Sequence, residues 1–180
     1  CDRLSLAGLE VDSLDDVAAP FSNVCVGEIT EATRHPDADR LQCCKVNVGT
    51  PAPLSIVCGA KNARVGLKVA VAQVGAVLGA DFVIKKTELR GQLSEGMLCS
   101  LKELGMADAS DGILELPTDS VVGQDVHDTL ELNDQVIDVD LTANRGDCAS
   151  ISGIAQEVSA LSGNTITCPT INAPKATGAC

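Results

Sequence analysis

The sequence predicts a mainly β protein with short helices, in which a small barrel or sandwich carries a second, smaller module. Three observations lead there. Seven short apolar runs follow one another between Val24 and Leu116 with Gly- and Pro-containing breaks between them, the rhythm of closely spaced strands joined by turns. Sustained helical spacing is confined to one later segment, Ser150 to Leu161. The chain has 180 residues, 45% of them hydrophobic, enough for one medium domain or for one small domain with pieces of another.

Taken in order, Val24–Thr33 (VCVGEITEAT) alternates apolar and polar residues through Val24, Val26 and Ile29. Leu41–Val48 (LQCCKVNV) is similar until Gly49-Thr50-Pro51 breaks it. Leu54–Cys58 (LSIVC) is a short apolar strand ending at Gly59. Lys68–Val74 (KVAVAQV) and Phe82–Lys86 (FVIKK) follow across Gly-rich separators, and Met97–Cys99 and Ile113–Leu116 complete the set. Ser100–Leu104 predicts one or two helical turns, with Ser100 as N-cap and Gly105 just past the end. In Ser150–Leu161 (SISGIAQEVSAL), Ile151, Ile154, Ala155, Val158 and Leu161 recur at three- and four-residue steps, and Gly163 stops the helix. Its apolar stripe has no place on a closed small barrel, so a second module is expected. The tail from Cys168 to Cys180, with Pro169, Pro174 and Gly178, reads as linker.

Composition narrows the classes. No apolar run approaches the roughly 20 residues of a membrane-spanning helix, and no basic region followed by an apolar stretch marks a signal peptide. Cys1 stands where a Met would open a native chain, so residues are expected upstream. Nine cysteines, an odd number without a Cys-x-x-Cys pair, stand beside only two histidines. Buried free thiols in a reduced cytoplasm are expected, not a disulfide scaffold or a zinc site. The net charge of −12 argues against a nucleic-acid partner until its distribution is read. Between Arg34 and Lys102, ten Lys and Arg stand against five Asp and Glu, a local +5, whereas the rest of the chain holds three against twenty. A basic middle between acidic flanks points to phosphate, because attraction follows the local patch.

Three stretches carry candidate chemistry. His35–Leu41 (HPDADRL) places one imidazole and two carboxylates within five residues. A metal needs three or four converging ligands, and this spacing offers at most two useful carboxylates. Pro36 biases His35 away from helical angles, and Asp37 can accept from the amides that follow. The expectation is a strand-to-strand turn capped by Asp37 and Asp39, with Arg40 projecting to solvent, where it could meet a phosphate. Val57–Gly66 (VCGAKNARVG) holds Lys61, Asn62 and Arg64 between two glycines. It lacks the order of a phosphate-binding P-loop, yet two cations and an amide suit a phosphodiester backbone, as they suit a solvated loop. Ile84–Ser100 (IKKTELRGQLSEGMLCS) places Lys85, Lys86 and Arg90 ahead of Gly91, Gln92 and Ser94. Ser94 and Glu95 have neither a histidine nor an oxyanion-hole pattern beside them, so nucleophilic catalysis is not expected. Phe21 and Phe82 are the only aromatics. Contacts to RNA should therefore be electrostatic and shape-based, with weak sequence preference.

Together, HPDADRL, KVNVG, IVCGAKNARVGLKVAVAQVGAVL, LRGQLSEGMLCSLKELG and GILELP resemble the tRNA-binding domain of the endothelial monocyte-activating polypeptide type, over about Ser22–Leu132. That resemblance implies an oligonucleotide-binding (OB) β-barrel. The flanks LAGLEVDSL and VDLTANRGDCASISGIAQEVSALSG look like the beta subunit of bacterial phenylalanine–tRNA ligase. The likeness implies a barrel (22–132) inserted into a small split α/β domain (1–21, incomplete, and 133–167), with a linker from 168 to 180. It implies that the Ser150 helix packs with the Leu4–Leu14 segment. It also implies an N-terminal, non-catalytic, cytoplasmic fragment that binds tRNA as an auxiliary site. Its other partners would be the ligase alpha subunit and the remaining beta-subunit domains, with no membrane. The fragment would hold no cofactor; ATP and Mg belong to the whole ATP-dependent ligase. Expected phosphate contacts are Lys45, Lys61, Arg64, Lys85, Lys86 and Arg90, helped by Asn62 and Ser94, with no catalytic or metal-binding residue. The alternatives are a stand-alone tRNA-binding module or chaperone, and a scaffold contacting the rest of the synthetase.

Overall fold

A computed structural model describes residues 1–17, 21–79 and 82–170. The described residues form two compact units, one within Asp16–Gln135, the other from Cys1–Asp15 together with 136–170. In order the elements are α1 (Asp2–Leu6), β1 (Glu10–Asp16), β2 (Phe21–His35), β3 (Ala38–Asn47), β4 (Leu54–Cys58), β5 (Lys68–Leu78), β6 (Phe82–Val83), β7 (Thr87–Leu89), β8 (Gln92–Ser94), β9 (Gly96–Leu98), α2 (Val126–Thr129), β10 (Gln135–Asp140) and α3 (Ile151–Ser162). Among the described residues, no helix is long and apolar enough to cross a membrane.

The central unit is organised by β2. Its 15 residues pair with β5 through the N-terminal half and with β3 through the C-terminal half, giving the order β4-β3-β2-β5-β6 with β9 also on β5. Register shifts at Ser22/Val24 and Ile29/Glu31 bend the strand as bulges do. Gly27 lies between them, where a Cβ would come within 2.5 Å of a Val71 methyl and 2.8 Å of a Val46 methyl, so only glycine fits the close approach. The ends of the curled sheet then meet. Glu95 N–H donates to Ser55 O at 2.7 Å and Val57 N–H to Ser94 Oγ at 3.1 Å, joining β4 to the β8–β9 corner. The result is an OB-like barrel.

Side-chain alternation on β2 and β5 feeds two cores. Cys25, Ile29, Val69 and Val71 point inward to Val46, Ile56 and Leu98. Val24, Val26, Ala70 and Ala72 face outward, where Cys99, Leu104, Leu116 and Val126 cover them. The segment after β9 is thus a second layer over the barrel, and the two middle strands are buried on both faces. The eight cysteines in the described residues are all unbridged. Burial pushes the Cys44 and Cys99 thiols up, to about 11 and about 12, which keeps them inert.

Several expectations meet the structure with differences. Ser100–Leu104 is a single turn, not a helix. The Glu103 carboxylate takes both the Ser100 amide, at 2.6 Å, and its hydroxyl, while Gly105 at φ +70° ends the turn. The cap and the stop leave no room for a second turn. Ile113–Leu116 forms one bridge, Val69 to Glu115, because Leu114 N–H bonds Cys99 O whereas Leu116 N–H bonds Lys68 O, so no ladder can grow. The hairpin of β7 and β8 was not expected; Arg90 (φ +50°) and Gly91 (φ +81°) form its two-residue turn.

In the other unit, β1 pairs with β10, and α1 lies against α3. Ser150 caps α3 by accepting from Gly153 N–H at 3.1 Å, and Gly163, left-handed at φ +77°, closes it. Arg145 ties the unit together. Its guanidinium donates to Ala7 O (3.2 Å), Asp147 (3.2 Å), Cys148 Sγ (3.0 Å) and Glu157 (2.9 Å). Asp147, Cys148 and Glu157 are close enough together to suggest a metal site, but this guanidinium already bonds all three.

Candidate nucleic-acid interface

The HPDADRL stretch makes the β2–β3 turn. His35, 4% exposed, pairs across the turn with Ala38. Its Nδ1 accepts the Asp37 amide at 3.1 Å, so the ring hydrogen sits on Nε2, which donates to Leu89 O at 3.2 Å. The imidazole, not Asp37 or Asp39, therefore caps the turn and fastens it to the β7–β8 hairpin. Arg34 and Arg90 each adjoin one end of that bond, so the tips of two hairpins bring them to the same end of the barrel.

Parity along the strands defines the mouth. Gln42 and Arg40 continue the inward row of Val46 and Cys44, and Arg34 pairs with Gln42. Beyond the last core layer this row lines a groove of about 630 Å³ together with Asp39, Gly59, Ala60 and Lys61. Arg34, Arg40 and Lys61 are all exposed. Among the described residues, no ion pair occupies these three head groups, nor those of Lys85 and Arg90.

The remaining predicted residues are engaged within the protein. Lys45, on the outer row of β3, donates to Ser55 Oγ at 2.7 Å. Lys86 pairs with Glu95 at 2.8 Å and, as the leading cause, holds that carboxyl below its usual range. Arg64 grips Glu115 with two parallel bonds, 2.8 and 2.7 Å. Asn62 bonds both backbone groups of Ile113, at 2.9 and 3.0 Å, and Glu115 at 3.1 Å. Ser94, 3% exposed, accepts from Val57 and donates to Gly96 O at 3.0 Å. The predicted set is thus divided: Lys61 belongs to the mouth with Arg90 at its hairpin rim, Lys85 lies in a neighbouring groove, and the others hold hydrogen bonds or ion pairs within the protein. Arg34 and Arg40 were missing from the set. Their signal was position, since they flank the turn that opens the barrel's mouth.

The Arg64–Glu115 fork gives a pH prediction. The two Arg64 bonds, then Asn62, pull the Glu115 carboxyl down to about 2 from its ordinary 4.5. A carboxyl lowered in the folded state stabilises fully above its unfolded value, and the benefit fades as pH falls from 4.5 toward 2. The urea midpoint should drop through that window, and Glu115→Gln should remove part of the drop. Equal pH dependence in both proteins would contradict the fork's role.

The architecture defines the class: an OB-like barrel, poor in aromatics, with cations at its mouth that have no ion-pair partner among the described residues. Residues 24–125 match the family described as "Putative tRNA binding domain", and the chain belongs to that family. Over 171 residues it is 59% identical to the phenylalanine–tRNA ligase beta subunit of Idiomarina loihiensis, with 95% of this chain and 22% of that protein covered. It is 54% identical over 178 residues to the same subunit of Haemophilus ducreyi, covering 98% and 22%. The chain therefore spans about a fifth of the length of these relatives. Among solved structures, the MetRS related protein from Pyrococcus horikoshii aligns with 57% of this chain and 87% of its own, at 22% identity and a TM-score of 0.43.

Proposed function

We propose that this chain is an auxiliary, non-catalytic tRNA-binding part of a phenylalanine–tRNA ligase beta subunit, its barrel set into a split domain that carries it on the synthetase. Arg34, Arg40, Lys61 and Arg90 take the tRNA backbone, with Lys85 beside them. The carrying observation is that these cations converge on the turn-and-loop end of an OB-like barrel, within the segment that matches a tRNA-binding family. In such barrels oligonucleotides lie on the face of the second and third strands and on loops beside it, among them the loop between the first two strands, which here is the β2–β3 turn. The acidic remainder of the chain repels RNA and confines contact to the mouth. In the whole cytoplasmic enzyme, catalysis, with its ATP and Mg, belongs to the alpha subunit and other domains.

The test is titration with full-length tRNA at several salt concentrations. Neutralising about three phosphates gives a log–log slope near −2 to −3. A flat response would reject the phosphate grip. Retention of the alpha subunit without any tRNA binding would favour a scaffold instead.

A further inference from the structure

We propose that a second groove, between the edge strand β6 and the β4–β9 wall, takes a single unstacked nucleobase, with Phe82 as its stacking surface and Lys85 on the adjoining phosphate. This rests on the barrel's being an RNA binder, and it adds a base contact to what the mouth does with phosphates.

The chain has two phenylalanines and neither Trp nor Tyr. Phe21 is 6% exposed and stacks on His127, with ring centroids 3.9 Å apart, so it is unavailable. Phe82 is 59% exposed. It sits on a two-residue strand held to β5 through Leu78, with the following residue Ile84 anchored by backbone bonds of 2.8 Å to Gly75 and Ala76. The backbone that carries the ring is thus fixed, and the ring itself stays largely exposed. It lines a groove of about 650 Å³ together with Val57, Met97 and Leu89, a volume within the roughly 300–1,000 Å³ of small-ligand sites. Apolar walls accept the flat face of any base, which is why stacking tolerates sequence.

One feature selects a nucleotide over an apolar peptide, and a second adds polar contacts for it. Lys85, exposed and without an ion-pair partner among the described residues, lines the same groove. β6 also ends the sheet order, so outward N–H and C=O groups of an open edge are free to meet the polar rim of a base. A cation, an open aromatic face and edge amides together match a base with its phosphate. Double-stranded RNA offers no unstacked base, so the site selects single-stranded loops or ends.

The experiment uses the 180-residue chain and a single-stranded RNA carrying one 2-aminopurine, read by fluorescence quenching and anisotropy at several salt concentrations. Wild type is expected to quench the probe on binding. Phe82→Leu is expected to lose the quench and about tenfold in affinity with its salt slope unchanged, since no charge is removed, and Phe82→Tyr to retain both. Blunt duplex RNA should bind without dependence on residue 82. If Phe82→Leu quenches and binds as wild type does while binding stays salt-dependent, the base pocket is overturned and the phosphate reading stands. If wild type binds neither RNA, or binds without salt dependence, both fail.

Discussion

Replacing Arg34, Arg40, Lys61 and Arg90 together with alanine is expected to weaken tRNA binding by about 100-fold near 0.1 M salt and to flatten the salt slope to about the one unit that Lys85 retains. Each phosphate contact that is lost removes about one unit of slope and weakens all sequences alike. The size of the effect follows from the charge inventory of the barrel. These four head groups have no ion-pair partner in the described structure, so nothing internal competes with a phosphate for them. Lys86 and Arg64 must first leave Glu95 and Glu115. The comparison variant is therefore Lys45→Ala/Arg64→Ala/Lys86→Ala, which removes nearly as much positive charge from the same unit. It should weaken binding by less than about threefold, measured where both variants remain folded. If the comparison variant lost more affinity than the mouth variant, the interface would lie with Lys45, Arg64 and Lys86, not at the barrel's mouth.

What the sequence makes legible here is local, and what it hides is pairing. β4 runs from Leu54 to Cys58, as the apolar run and Gly59 indicate, and α3 begins and ends at the cap and stop that Ser150 and Gly163 supply. β2 is harder to read because one strand serves two neighbours and buries both faces, which erases the period-two pattern over Val24 to Gly27. The β7–β8 hairpin escapes because Arg90 occupies a left-handed position where Asn or Gly is the usual signal. The site divides in the same way. The positive charge between Arg34 and Lys102 is visible in the sequence. Which cations remain free depends on Glu115, 51 residues from Arg64, and on Glu95, nine residues from Lys86. Register decides such pairs, and a linear chain does not display register.

Asn62 shows what such hidden pairing is worth. Asn62→Ala is expected to lower folding stability by about 2–3 kcal/mol, because it strands both backbone groups of Ile113 in a part-buried setting and takes one donor from Glu115. Gly112, at φ +93°, lies so close to the Asn62 amide that no side chain fits there, so the clasp has no replacement partner at hand. Asn62→Asp separates the contributions. It keeps an acceptor for the Ile113 amide but removes both donations and sets a second carboxylate against Glu115. At neutral pH it should be at least as destabilising as alanine, and it should recover relative to alanine as the new carboxyl protonates. Urea unfolding at pH 7 and pH 4 measures both effects. The tRNA salt slope of folded Asn62→Ala should equal that of wild type, because the amide faces the barrel's second layer. Unchanged stability with weakened tRNA binding would instead return Asn62 to the RNA-contacting surface.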